Sequence, residues 1–253
     1  MLALDTSAQV DAWDRQRSSV TSMGTVTTLE RPMYGLGQAA SLLGLRSDRV
    51  RAWLDGYSRK GVWYDPVIRP EHTGEDIVTW GEFIELGYLR EYRHAGVSLQ
   101  SMRPVIASLR DENQTLYPLA SADLYVRGRE LVARLQDELD LPAQLFMVVR
   151  TGELGFELAP NAAAFFRKVE FSDHGAAARW RPAGPQSPVA VEPDVSFGMP
   201  SVRGTSTERL FELWSAEGGD DASARWLAQV YELEPSAVDA AIAFEEHQRS
   251  LAA

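Results

Sequence analysis

One stretch of eighteen residues limits the folds open to this chain more than any other: Leu36-Gly37-Gln38-Ala39-Ala40-Ser41-Leu42-Leu43-Gly44-Leu45-Arg46-Ser47-Asp48-Arg49-Val50-Arg51-Ala52-Trp53. Two helices cross tightly only where the contact residue on the first is small, and Ala40 occupies that place. The turn between them needs a residue that tolerates positive φ, which Gly44 supplies. Leu43, Leu45, Val50 and Trp53 are spaced to close a small core, and Ser47 is placed to cap a second helix over about Asp48 to Asp55. Together these requirements describe a helix-turn-helix.

The polar positions of that second helix are basic. Arg49 and Arg51 flank the buried Val50, and Arg46 and Ser47 stand at its start, where the helix dipole and free N–H groups favour an anion. A helix of this kind enters a major groove, its arginines bonding guanine or holding phosphate. The run Gly61 to Arg69, the Thr73-Gly74 turn and Ile77-Val78-Thr79 read as a β-hairpin wing. Arg59, Lys60 and Arg69 lie on or beside that wing, with Trp63, Tyr64 and Trp80 as its hydrophobic underside. The candidate DNA-binding residues are therefore Arg46, Ser47, Arg49, Arg51, Arg59, Lys60 and Arg69.

A capping box, Thr79-Trp80-Gly81-Glu82, opens a further helix that ends near Gly96, and Ser98 or Ser101 is set to cap the next, which carries Pro104 and runs to about Glu112. In this order of elements, through Ala95-Gly96-Val97-Ser98-Leu99, residues 33–112 resemble the MerR-type DNA-binding domain. The resemblance implies a dimer that uses the second helix and the wing on double-stranded DNA. The long dimerising coiled coil usual in that family does not follow in this sequence.

Charge is sorted along the chain. The whole carries 36 acidic and 25 basic residues, a net −11 that by itself argues against nucleic acid. Residues 46–69 nonetheless hold six basic and three acidic groups, whereas residues 190–253 hold four basic and twelve acidic. Four parts are expected: a tail or arm over residues 1–30; the winged helix-turn-helix over 31–115; a small β-rich region over 116–185; and an acidic module over 186–253. The third part shows β-like runs at Leu124–Val126, Leu131–Leu135, Leu145–Arg150, Phe156–Leu158 and Val169–Phe171, and the Pro/Gly stretch from Arg181 to Pro188 reads as a linker. The fold class expected is mainly α with small β elements (α+β).

In the last part, Pro193-Asp194-Val195-Ser196-Phe197-Gly198-Met199-Pro200-Ser201-Val202-Arg203-Gly204-Thr205 dictates an irregular path with turns. Helical patterns follow over about Thr207–Glu217, Ala222–Tyr231 and Ser236–His247, the last two repeating helix-turn-helix spacing, with Ala228 as the small contact and Ser236 as cap. This second unit lacks a basic face; its negative charge would repel phosphate, which points to protein contact instead. Phe197, Arg203, Trp214, Trp226, Asp239 and Glu245 are the candidate partner-binding residues. The motif resembles the bacterial module called domain of unknown function 433, although Ser206-Thr207-Glu208 stand where family members often carry a proline. Joined to an N-terminal helix-turn-helix, it resembles the VapB-type antitoxins, which repress their own operon and pair with a PIN-like ribonuclease toxin.

Catalysis is not expected. The chain has no cysteine, its four histidines are far apart, and no Gly-rich phosphate loop, zinc signature or nucleophile elbow occurs. No cofactor or metal is expected. Without a membrane span or secretory pattern, the expected location is the cytoplasm. The expected function is thus a DNA-binding antitoxin, acting as a homodimer on its own operator and neutralising a PIN-like toxin. The alternatives are a MerR-like regulator sensing a small ligand through residues 116–189, where Leu145–Val149 and Phe165-Phe166 would form a pocket, and a scaffold in which both helical units only pack.

Overall fold

The computed structural model describes residues 28–121 and 164–252. Most of the expected tail and the strands expected at Leu124–Val126, Leu131–Leu135, Leu145–Arg150 and Phe156–Leu158 lie outside the described residues. Among those described, the chain is α+β, about half helical, with four antiparallel sheets of two strands each.

The first helical pair forms where the apolar spacing places it. Helix α1 (Leu36–Leu42) buries Leu36, Ala39 and Ala40 on one face. It closes through Gly44, at φ +60, with the Leu45 N–H donating to Ala40 O at 2.8 Å and the Gly44 N–H to Ser41 O at 3.1 Å. These two bonds satisfy carbonyls that a helix end leaves free. Helix α2 (Ser47–Asp55) buries Val50, Trp53 and Leu54 against α1. Its N-cap is Arg46 with no side-chain cap bond, so Ser47 is the first helical residue and not the expected cap.

Strand pairing departs from expectation. Lys60 and Gly61, at φ +51 and +77, make a two-residue turn, the geometry that matches strand twist in tight hairpins. It folds β2 (Tyr57–Arg59) onto β3 (Val62–Tyr64). The hairpin is therefore shorter and earlier than the one expected from Gly61 to Thr79. Strand β4 (Ile77–Thr79) pairs instead with β1 (Pro32–Gly35).

Helix α3 (Trp80–His94) is the centre of the first core. Its capping box is complete: Glu82 N–H donates to Thr79 Oγ1 at 3.2 Å, and Thr79 N–H to Glu82 Oε2 at 2.8 Å. It is buried on nearly every side from Trp80 to Leu89. Helix α4 (Leu99–Asn113) is capped by Ser98 and contains Pro104. Phe165, Trp180 and the strands β5 (Val169–Phe171) and β6 (Ala177–Trp180) pack into the same core, so the described part of the expected middle region is continuous with residues 29–120. Leu29 is buried in this core too, which removes it from the expected tail.

A second core is built by β7 (Ser201–Val202), α5 (Thr207–Ala216), α6 (Asp221–Val230) and α7 (Pro235–Ala252), with Val202, Leu210, Leu227, Val238 and Ala241 inside. A short strand, β8 (Thr205–Ser206), completes a hairpin with β7 through Arg203 and Gly204, both at positive φ. Helix α7 begins with Pro235, a residue suited to a first helical position, so Ser236 is not its cap.

The two cores are joined by more than covalent chain. Trp180 and Val191 exchange backbone hydrogen bonds at 2.9 and 2.8 Å, and Ala190 and Ser201 exchange two more at 2.9 Å. The segment Arg181–Pro188, expected as a linker, is a tied loop between these pairings: Arg181 donates to Ser187 O at 2.6 Å and Lys168 to Pro182 O at 2.9 Å. Arg31 forms an ion pair with Asp194, and Tyr34 Oη donates to Gly198 O at 2.7 Å within a buried contact.

Candidate nucleic-acid interface and partner surface

Six of the seven expected DNA-binding residues are exposed on α2 and its neighbouring hairpin. Arg46 lies against Asp48 at 3.0 Å, and this contact holds the Asp48 carboxyl below its usual value. Arg51 is paired with Asp76 at 2.7 Å. Arg49, Arg59 and Lys60 form no ion pair among the described residues. They are therefore the cations available to a phosphate or base without breaking an existing pair. Arg46, Ser47 and Arg49 also line a cleft of about 700 Å3 that is closed on its far side by Gln248 and Leu251 of α7.

The hairpin is held to α2 by close backbone approach. Gly56, at φ +80, has room for no side chain: a Cβ there would sit 2.5 Å from Tyr64 O and 2.9 Å from the Trp63 ring. Tyr57 stacks on Tyr64 with ring centroids 4.8 Å apart. Of the three aromatics expected beneath a wing, only Trp80 is buried; Trp63 is 50% exposed, and Tyr64 is exposed as well. The exposed ring of Trp63 is oriented by a 3.0 Å hydrogen bond from Nε1 to Asp65.

Arg69 is a correction. It is buried, with Nε donating to Glu82 Oε1 at 2.7 Å and Nη1 lying 3.0 Å from Asp55 Oδ1. Its remaining N–H groups go to Thr73 Oγ1, Glu75 O and Ile77 O at 2.6, 3.0 and 2.8 Å. One guanidinium thus stitches the 69–77 loop to the end of α2 and the start of α3, and nothing of it reaches a groove. Burial pushes the Asp55 carboxyl up, but hydrogen bonds from the Thr73 N–H and Arg69 outweigh it and leave the group below its ordinary value. The sequence held a signal for this: Asp55 closes α2, where a carboxylate opposes the helix dipole unless something pairs it.

On the second core, Phe197 is 91% exposed and sits at φ +54, between Ser196 at +48 and Gly198 at +73. A large apolar side chain on left-handed backbone is costly in isolation. Here the turn is held by Ser196 Oγ donating to Gly204 O at 2.6 Å, which couples it to the Arg203 turn. That bond places the turn carrying Phe197 beside the turn carrying Arg203. Trp226 is 43% exposed on α6, and Asp239 is exposed on α7. Trp214 is engaged within the unit, donating to Asp220 O at 3.1 Å and packing on Phe211. Glu245 is also occupied, accepting from Thr207 Oγ1 at 2.5 Å and from Arg249 at 3.0 Å. Its carboxylate ties α7 to the start of α5 and is not offered to a partner.

No protein-family model matches the chain. The uncharacterized protein Rv2308 of Mycobacterium tuberculosis (strain ATCC 25618 / H37Rv) is 33% identical over 141 residues, which is 55% of this chain and 57% of that protein. The chain thus spans little more than half the length of that relative. From the same organism, a protein named "Putative antitoxin VapB45" is 27% identical over 195 residues, 69% of this chain and 78% of that protein. The X-ray crystal structure of Rv2018 from Mycobacterium tuberculosis superposes with a TM-score of 0.63 at 22% identity, covering 85% of this chain and 99% of that one. That likeness shows a shared fold. Among the described residues, no helix is long and apolar enough to cross a membrane.

Proposed function

We propose that this chain is a DNA-binding antitoxin. In this reading, α1, α2 and the β2–β3 hairpin act as a winged helix-turn-helix on the chain's own operator, as a homodimer. The acidic C-terminal three-helix unit, of the kind that domain of unknown function 433 names, holds a PIN-like ribonuclease toxin. The observation that carries the proposal is the similarity to a protein named as an antitoxin, extending over 78% of that protein. The charge distribution supports it: Arg49, Arg59 and Lys60, with no ion pair among the described residues, are exposed on the first unit, and residues 190–253 carry twelve acidic against four basic groups. A nuclease needs a cationic channel for RNA, and an acidic partner is steered toward such a surface. Phe197 supplies the exposed aromatic anchor that protein interfaces favour.

Footprinting on the DNA upstream of this reading frame, with and without the product of the adjacent gene, tests both halves. Protection that includes guanines in a major groove and is altered by the neighbouring product is the expected result. No protection, together with no co-purification of that product, defeats the proposal. Phe197→Ala should weaken capture of the neighbouring product by about 2 kcal/mol or more, measured by titration calorimetry, while leaving the footprint of the chain alone unchanged.

A further inference from the structure

A cavity of about 750 Å3 lies between α7 and the first core. Its apolar walls come from Leu42, Trp180, Phe244 and Leu251, and its charged groups are Arg90 and Lys168, with His247 alongside. No aspartate or glutamate is among the described residues that line it. In a chain with 36 acidic and 25 basic residues, a lining that holds cations and no carboxylate is unusual.

The two cations are not equivalent. Arg90 is already neutralised by Glu91 and donates to Leu43 O at 2.6 Å. Lys168 is half-buried and forms no ion pair among the described residues; one of its three N–H groups goes to Pro182 O at 2.9 Å. Burial, and then the nearby charge of Arg90, push its ammonium below the usual value, with Glu91 only partly opposing them. Trp180 adds a second unmet requirement. It is 2% exposed, and its indole N–H has no acceptor among the described residues. A buried donor and a half-buried cation, both without anionic partners, line one apolar space, and such a space suits a ligand with a flat apolar body and one anionic head.

We infer that this cavity binds a small aryl carboxylate, its ring against Trp180 and Phe244 and its carboxylate accepting from Lys168. The inference stands independently of the antitoxin reading. Gln248 and Leu251 line both this cavity and the cleft beside Arg46 and Arg49, so the ligand would touch the helix that closes the candidate nucleic-acid face.

The test uses the full chain with 2-naphthoate and its neutral counterpart 2-naphthamide as probes, by titration calorimetry and by the indole N–H resonance of Trp180, assigned through Trp180→Phe. Saturable binding of one naphthoate per chain is expected, with the amide at least about tenfold weaker, the Trp180 resonance shifted, Lys168→Met reducing affinity about tenfold and Lys168→Arg restoring it. Equal binding of acid and amide, undiminished binding to a Lys168→Met protein, an unmoved Trp180 resonance, or no binding at millimolar naphthoate would each overturn the inference. If Lys168→Met fails to fold, the acid-against-amide comparison and the Trp180 resonance in the unaltered chain decide it.

Discussion

Replacing Arg69 by alanine would strand two carboxylates, Asp55 and Glu82, inside the 69–77 loop. Breaking a buried pair from one side costs about 3–5 kcal/mol, and urea unfolding should show a loss in that range. Arg51→Ala, which breaks an exposed pair with Asp76, should cost no more than about 1 kcal/mol of stability. Sequence position alone could not separate these arginines, because each lies near a carboxylate in the chain. What distinguishes Arg69 is the return of the chain from Pro70 to Ile77, which closes over the guanidinium. Glu85 offers a pH test. It is fully buried, accepts one hydrogen bond from Leu119 N–H at 2.9 Å, and burial raises its carboxyl to about 8. The folded state therefore holds a proton that the unfolded chain releases near 4.5, and the stability this provides is lost as pH rises from 4.5 through about 8. A Glu85→Gln chain should show a flatter dependence of stability on pH over that interval in thermal melts.

At the scale of elements, the two helical corners make a matched pair. In the first, Ala40 lies two residues before the helix end and Gly44 takes positive φ. In the second, Leu233 N–H bonds Ala228 O at 2.9 Å in the same manner, but the left-handed position is Glu232, at φ +52. Left-handed backbone costs a side-chain-bearing residue roughly 1 kcal/mol. Glu232→Gly should therefore stabilise the chain by about that amount, and Gly44→Ala should destabilise it by at least as much, both by chemical denaturation. These corners were legible in the sequence because small residue, turn residue and apolar spacing are all local. The three C-terminal helices, expected at Thr207–Glu217, Ala222–Tyr231 and Ser236–His247, form at Thr207–Ala216, Asp221–Val230 and Pro235–Ala252 for the same reason. The hairpin was misplaced because alternation in Gly61–Arg69 and Ile77–Thr79 says nothing about which strand pairs with which. The Lys60-Gly61 turn decided one pairing, and Pro32–Gly35, far away in sequence, decided the other.

For the molecule as a whole, the balance of charge sets how nucleic acid would be held. If the proposed interface is used, each phosphate contact adds about −0.9 to the slope of log affinity against log salt. Arg49→Ala should flatten that slope by about one where the residue holds phosphate, or cost about 1–3 kcal/mol at one base position where it reads a guanine. Asp76→Asn should release Arg51 and steepen the slope, with anisotropy titrations at several salt concentrations measuring all three proteins. The acidic character of the C-terminal unit was visible in composition. That its last helix would lie beside Arg46 and Arg49 was not, since no local pattern specifies how two separately patterned cores dock.

That docking has a consequence for spacing. Backbone pairing of Ala190 with Ser201 and the Tyr34–Gly198 hydrogen bond hold the halves side by side, while the tip of the tied loop, at Gly184, bonds to Arg181 and Ser187 within the loop itself. A loop tip that does not itself join the halves can be lengthened cheaply, since doubling a flexible loop costs only about 0.6 kcal/mol. Glycine and serine inserted at Gly184 would hence leave the distance between the two outward faces unchanged, and any duplex and protein gripped by them would stay in fixed register, as on a bracket.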